Sequence, residues 1–158
     1  MKPHILIVEA RYYAPIADAL LQGAVKALEE AGASHERVAV PGAFEIPTAI
    51  SLAVKAEARG ERLGPSNRPL QFDGYLALGC VIRGETSHYD YVCAEAARGL
   101  QELAMRYHLA LGFGILTVEN EAQALARARI DRKNKGGEAA RACLAMIDLK
   151  RHFGLVET

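Results

Sequence analysis

Neither charge sign is in excess in this chain: Lys and Arg together number 19 and Asp and Glu 19, over 158 residues. No block of like charge runs beyond a few residues, which excludes the electrostatic footprint expected of a partner that is nucleic acid or an anionic membrane. Apolar runs stay far below membrane-spanning length. Met1-Lys-Pro-His leads straight into a strand-like run, so we expect no signal peptide and a cytoplasmic protein. Cysteine is scarce and odd in number. Cys80, Cys93 and Cys143 are widely spaced, without a CxxC, and support neither a disulfide framework nor a zinc site. Internal repeats and low-complexity segments are lacking as well.

What the chain has is apolar residues, 51% of the total, enough for one substantial core in a single domain spanning residues 1–158. His4-Ile-Leu-Ile-Val-Glu9 is a β-branched, unalternating run of the kind that fills a parallel strand covered on both faces. Pro15 suits a first helical turn, and Ile16, Ala19, Leu20, Gly23, Ala24, Ala27 and Leu28 recur at helical spacing until Gly32. Arg37–Val40 reads as a second strand closed by Pro41-Gly42, followed by a helical pattern from about Pro47. Between Arg59 and Gln71, two Gly and two Pro mark a solvated surface loop. Tyr75–Ile82 is a third strand, and a helix from about Ser87 to Tyr107 follows. Leu109–Thr117 is a fourth, whose Gly112 and Gly114 imply a close approach of another backbone or a ligand. Asn120 and Gln123 form a candidate capping box. Gly136-Gly137 introduces a last helix to about Phe153, with Ala139, Ala142, Cys143, Met146, Ile147 and Leu149 facing inward. Four strand-helix units and a closing helix give an α/β fold, a three-layer sandwich in which a four-stranded parallel sheet carries helices on both faces.

In such sheets ligands lie beyond the carboxyl ends of the strands. The candidates for chemistry fall there: Arg11 to Tyr13, Gly42 to Glu45, Arg83 to His88 and Thr117 to Asn120. The most informative stretch is Gly79-Cys-Val-Ile-Arg-Gly-Glu-Thr-Ser-His-Tyr-Asp90, a strand-to-helix junction. Unpartnered amides and the helix dipole welcome an anion there, and His88 supplies a proton carrier beside it. Taken alone, Gly84–Ser87 is either that anion site or an ordinary helix cap. Tyr12, Tyr13 and Phe44 are either core or rim packing or a stacking platform for a flat heterocycle. Arg127, with Arg129 and Arg132 near it, reads as a solvated cationic face. Cys80 reads as a small buried side chain rather than a nucleophile, and His4, His35, His108 and His152 as surface histidines without a role.

Taken together these residues spell a family pattern. Arg11-Tyr12, Val40-Pro-Gly-Ala-Phe-Glu-Ile-Pro47, the junction from Gly79 to Asp90, Gly114-Ile-Leu-Thr-Val-Glu-Asn120 and Asn134-Lys-Gly-Gly137 closely resemble the lumazine synthases of riboflavin biosynthesis, over about residues 4 to 153. The resemblance implies a flavodoxin-like architecture and a transferase. Its reaction condenses 5-amino-6-(D-ribitylamino)uracil with 3,4-dihydroxy-2-butanone 4-phosphate, without a metal or redox cofactor.

The resemblance also implies roles. Tyr12 falls on the ring-stacking position, and Ala43, Phe44, Glu45, Cys80, Val81 and Ile82 on contacts to the pyrimidine and ribityl chain. Glu85 and Thr86, through the loop backbone, and Arg127 fall on the phosphate, His88 on proton transfer, and Phe113 on an aromatic lent by a neighbouring subunit. Partners are then small-molecule substrates and further copies of the chain, in a pentamer or an assembly of pentamers with active sites between subunits. Tyr13 stands where many members carry Asn, and the 59–71 loop is longer than in compact members. The competing reading is a flavin- or lumazine-binding module of the same fold that does not turn over.

Overall fold

A computed structural model gives the fold and describes residues 2–61, 63, 67 and 69–156. The expected surface loop at 59–71 lies in part outside the described residues. Four strands, β1 (His4–Ala10), β2 (Ser34–Val40), β3 (Gly74–Ile82) and β4 (Leu111–Val118), pair in parallel in the order β2-β1-β3-β4. Five helices connect or follow them: α1 (Ala14–Glu30), α2 (Ile46–Arg59), α3 (His88–Tyr107), α4 (Glu121–Ala128) and α5 (Lys135–His152). A 3-10 turn, Ala43–Glu45, precedes α2.

Because side chains alternate across a strand, β1 feeds two cores. Leu6, Val8 and Ala10 pack with Ala77 and Ile115 against Ile46 and Ile50 of α2 and Val92, Ala96 and Leu100 of α3. Ile5 and Ile7 pack with Leu76 and Leu78 against Ala24 and Leu28 of α1 and Ala140, Cys143 and Ile147 of α5. These are the three expected layers. A smaller cluster of Ile16, Leu20, Leu116, Val118, Ala124 and Ala128 ties α4 to α1 at the carboxyl end of the sheet.

β4 and α5 approach so closely that a Cβ on Gly112 would lie 2.2 Å from the Ala139 carbonyl oxygen, and α5 and α1 so closely that one on Gly136 would lie 2.0 Å from that of Leu20. Backbone, not a ligand, therefore explains the strand glycine. Asn120 caps α4 as expected, its side chain accepting from the Gln123 amide at 2.9 Å. The reciprocal bond differs by one residue: Gln123 Oε1 accepts from the Glu119 amide at 2.8 Å.

Three expectations are corrected. Strand β2 begins at Ser34, because backbone pairing with β1 from His4 onward carries it through polar residues that no apolar pattern marks. Helix α5 begins at Lys135, with Gly136 and Gly137 buried inside its first turn. Its inward face is Ala139, Ala140, Cys143 and Ile147, while Ala142, Met146 and Leu149 are exposed. His4 is a structural residue rather than an idle surface one. Its Nδ1 lies 2.7 Å from Ser34 Oγ, its Nε2 3.3 Å from Glu36, and its ring stacks on Phe72 at 5.3 Å. No helix among the described residues is long and apolar enough to cross a membrane.

Candidate active site

Strand order reverses at β1. From β1 the chain moves outward to β2, then returns across the sheet to β3 on the other side, so α1 and α3 leave toward opposite faces and a crevice opens between the carboxyl ends of β1 and β3. The loop 11–13, the turn 43–45 and the junction 80–88 follow the carboxyl ends of β1, β2 and β3 around it.

Tyr12 is 76% exposed and Phe44 56%, which excludes core packing for both. The Tyr12 ring touches that of Tyr13 edge-on, with centroids 4.9 Å apart. Tyr13 instead packs partly buried against the small cluster, and burial, helped by the neighbouring Cys80, pushes its phenol upward. Ala43 is buried, and Glu45 closes the 3-10 turn with its amide donating to the Gly42 carbonyl at 3.2 Å. Two free aromatic faces at a strand-end crevice suit a flat heterocycle.

The junction after β3 keeps Cys80, Val81 and Ile82 half-buried while Arg83 to His88 are exposed. Ser87 occupies the N-cap of α3 without a side-chain bond, and the Thr86 hydroxyl accepts from the His88 amide at 3.4 Å. Side-chain capping by this stretch is thus limited to the Thr86 hydroxyl, and Glu85, Thr86 and the helix terminus are exposed, where an anion is welcome. His88 is the first residue of α3, exposed at the same edge. Arg83, two residues before Glu85, spends its charge within the chain: its Nε donates to Glu119 at 2.9 Å, its Nη1 reaches Asp90 at 3.3 Å, and its guanidinium lies 4.2 Å over the Tyr89 ring. The Cys80 thiol is pushed up to about 12 by burial, with Cys93 adding to the effect. A thiol held protonated is no nucleophile.

Phe113 and Arg127 stand apart from these residues. Phe113 is 48% exposed on β4, the last strand of the sheet, and lines a groove of about 360 Å³ along its outer edge with Thr117, Arg127, Lys135 and Glu138. None of the strand-end residues 12, 43–45 or 80–88 lines that groove. Arg127 donates from Nη1 to the Gln123 carbonyl at 3.1 Å and has no ion-pair partner among the described residues, whereas Lys135 is paired with Glu138 at 3.0 Å. The groove's uncompensated positive charge is thus that of Arg127.

Sequence reading gave no role to Lys135 or Glu138, although the Asn134-Lys-Gly-Gly137 pattern pointed at their helix start. It also passed over the buried Glu9. Among the described residues no cluster of His, Cys, Asp and Glu could hold a metal ion.

Comparison with known proteins adds to this geometry. The model of the family 6,7-dimethyl-8-ribityllumazine synthase matches residues 2–151. The chain is 54% identical over 153 residues to the 6,7-dimethyl-8-ribityllumazine synthase of Bartonella tribocorum, covering 97% of this chain and 93% of that one. It is 54% identical over 153 residues to that of Agrobacterium fabrum, covering 97% and 98%. To that of Paramagnetospirillum magneticum it is 51% identical over 151 residues, covering 96% and 97%. With matching that runs through the strand-end loops, the β4 edge and nearly all of the sequence between them, the chain belongs to the 6,7-dimethyl-8-ribityllumazine synthase family.

Proposed function

We propose that the protein condenses 5-amino-6-(D-ribitylamino)uracil with 3,4-dihydroxy-2-butanone 4-phosphate to 6,7-dimethyl-8-ribityllumazine, releasing phosphate and water. The observation that carries this reading is the exposed start of α3, with His88 as its first residue, at the same strand ends as the exposed Tyr12 and Phe44 rings. Tyr12 and Phe44 receive the pyrimidine ring, with Ala43, Glu45, Cys80, Val81 and Ile82 lining its edge and ribityl chain. The Glu85-Thr86 backbone and Arg127 hold the phosphate.

The chemistry needs protons in both directions. The amine adds to the ketone, the carbinolamine loses water, phosphate leaves, and ring closure expels a second water. His88 serves these transfers as acid and base. Positive potential from the helix terminus and Arg127 favours phosphate departure, and the crevice orients two substrates against each other, a term that by itself supplies much of a rate enhancement.

Phe113 and Arg127 reach a site of this kind from a neighbouring copy, so the active unit is a homo-oligomer, a pentamer or an assembly of pentamers. Each subunit is one domain of residues 1–158, and three cysteines outside any disulfide suit the cytoplasm.

Mixing the two substrates with the protein and following lumazine fluorescence tests the activity. The wild type is expected to accelerate the slow spontaneous reaction, and His88→Ala to lower turnover about 10-fold to 100-fold, because orientation survives the loss of the proton carrier. A wild-type rate equal to the spontaneous one would sink the proposal.

A further inference from the structure

Position 9 continues the series Ile5, Ile7 on the face of β1 that α1 and α5 cover, yet it holds a carboxylate that is 2% exposed. It is the only buried charged side chain among the described residues. Both oxygens are taken: Oε1 accepts from Arg11 Nη1 at 2.5 Å and Oε2 from Arg37 Nε at 2.8 Å. The second terminal nitrogen of Arg11 donates to Asp18 on α1. One guanidinium thus spans from the strand the chain is leaving to the helix it is entering, which only the planar fork of arginine can do. Arg37 joins the edge strand β2 to the same carboxylate.

Buried ion networks of this kind are poor sources of stability, since apolar residues of similar volume commonly do as well or better. Glu9 therefore calls for a different account. The loop between β1 and α1 is only Arg11 to Tyr13, and Tyr12 at its centre has an edge contact with Tyr13 as its one ring contact. Its ring is aimed by the backbone that carries it. That backbone is anchored on both sides by Arg11.

We infer that Glu9 and Arg11, backed by Asp18 and Arg37, are positioning residues for the pyrimidine substrate: their ion network fixes the loop that presents the Tyr12 ring to the crevice. The inference rests on Tyr12 as the ring-stacking residue. Because the phosphorylated substrate is held by the α3 terminus and Arg127, the network acts on one substrate and not the other.

Glu9→Gln puts an amide NH2 where an oxygen faced an arginine donor, so one arginine must let go; Arg11→Lys leaves one nitrogen for two carboxylates. Each variant is expected to raise KM for the pyrimidine about 10-fold while KM for the butanone phosphate stays within about twofold. A merely structural role would lower the melting temperature and the active fraction, and so kcat, with both KM values unchanged; that result, or an equal rise in both KM values, overturns the inference. Should buried Glu9→Gln fail to fold, Arg11→Lys at its part-exposed site carries the same comparison. Tyr12→Ala separates the stacking role from the clamp. If it leaves the pyrimidine KM unchanged, the stacking role falls and the clamp with it; if it raises that KM while Glu9→Gln and Arg11→Lys do not, the clamp alone is wrong.

Discussion

Phe113 pairs with Ala77 in the β3–β4 ladder, five positions before the Ile82–Val118 pair at which the ladder ends. At the rise of a strand this puts Phe113 about 16 Å below the carboxyl edge of the sheet. Its ring lines the groove at the outer edge of β4 with Arg127, a groove that neither Tyr12 nor His88 lines. On the proposed reading, in which one site needs both sets of residues, a neighbouring copy would lend the second set through the head-to-tail contacts of a closed ring.

Complementation tests this arrangement. His88→Ala damages the strand-end half and Arg127→Ala the β4-edge half. Co-expressed at equal levels, the two variants are expected to regain about a quarter of wild-type sites, the chance in a random ring that an intact strand-end half meets an intact edge half. Activity that never exceeds the mean of the two separate variants would place the whole site within one chain.

Arg127 is the groove's uncompensated cation because Lys135 is neutralised by Glu138. Its removal should therefore act on the phosphorylated substrate. We expect Arg127→Ala to raise KM for the butanone phosphate by about 10-fold to 100-fold, the scale of a charge-assisted bond to an anion, and to leave the pyrimidine KM little changed. Inorganic phosphate should compete with that substrate in the wild type and much less in the variant. An unchanged dependence on the butanone phosphate would remove Arg127 from the phosphate site.

Much of the fold was legible because β1 and β3 are unalternating apolar runs, the mark of strands buried on both faces, and because Asn120 carries its cap chemistry in the side chain. The strand-end loops were legible for the same reason: once the strands are placed, chain order alone assigns residues 12, 43–45 and 80–88 to one edge. What escaped depends on partners distant in sequence. Ser34 to Glu36 become strand through backbone bonds to β1, which leave no apolar trace. Helix α5 buries a narrow line of small residues against α1 and β4, so the larger Met146 and Leu149 fall outside it. The Glu9–Arg37 pair joins residues of two different strands, and no local pattern around Glu9 announces a buried carboxylate.

Thiol reactivity offers a check on Cys80. Burial pushes Cys80 up to about 12, with Cys93 adding to it, and burial likewise pushes Cys143 up to about 12. Cys93 is raised too, chiefly by burial. At about pH 7.5 the thiolate fraction at Cys80 and Cys143 is then below roughly one part in ten thousand, and thiolate is the reactive form. Iodoacetamide is expected to leave these two unmodified in the folded protein, by mass spectrometry, and to add at all three cysteines after denaturation. Rapid alkylation of Cys80 in the fold would show a thiolate there and reopen a nucleophilic role.

Glu57 on α2 should make stability depend on pH in an unusual direction for an acid. Burial raises its carboxyl above the ordinary 4.5, while the Tyr75 hydroxyl that donates to it, a Phe72 backbone bond and Lys150 offset this only in part. An acid with a raised pKa in the folded state holds its proton more tightly there. Its contribution to folding is fully present below the ordinary pKa and is lost as pH rises through the raised one. Glu57→Gln keeps an oxygen for the Tyr75 hydroxyl and cannot ionise, so it avoids that loss. Its melting temperature relative to the wild type is expected to rise with pH, from equal or lower at about pH 4 to higher at about pH 8. A difference that stays constant across this range would mean that Glu57 ionises as readily in the fold as in the unfolded chain.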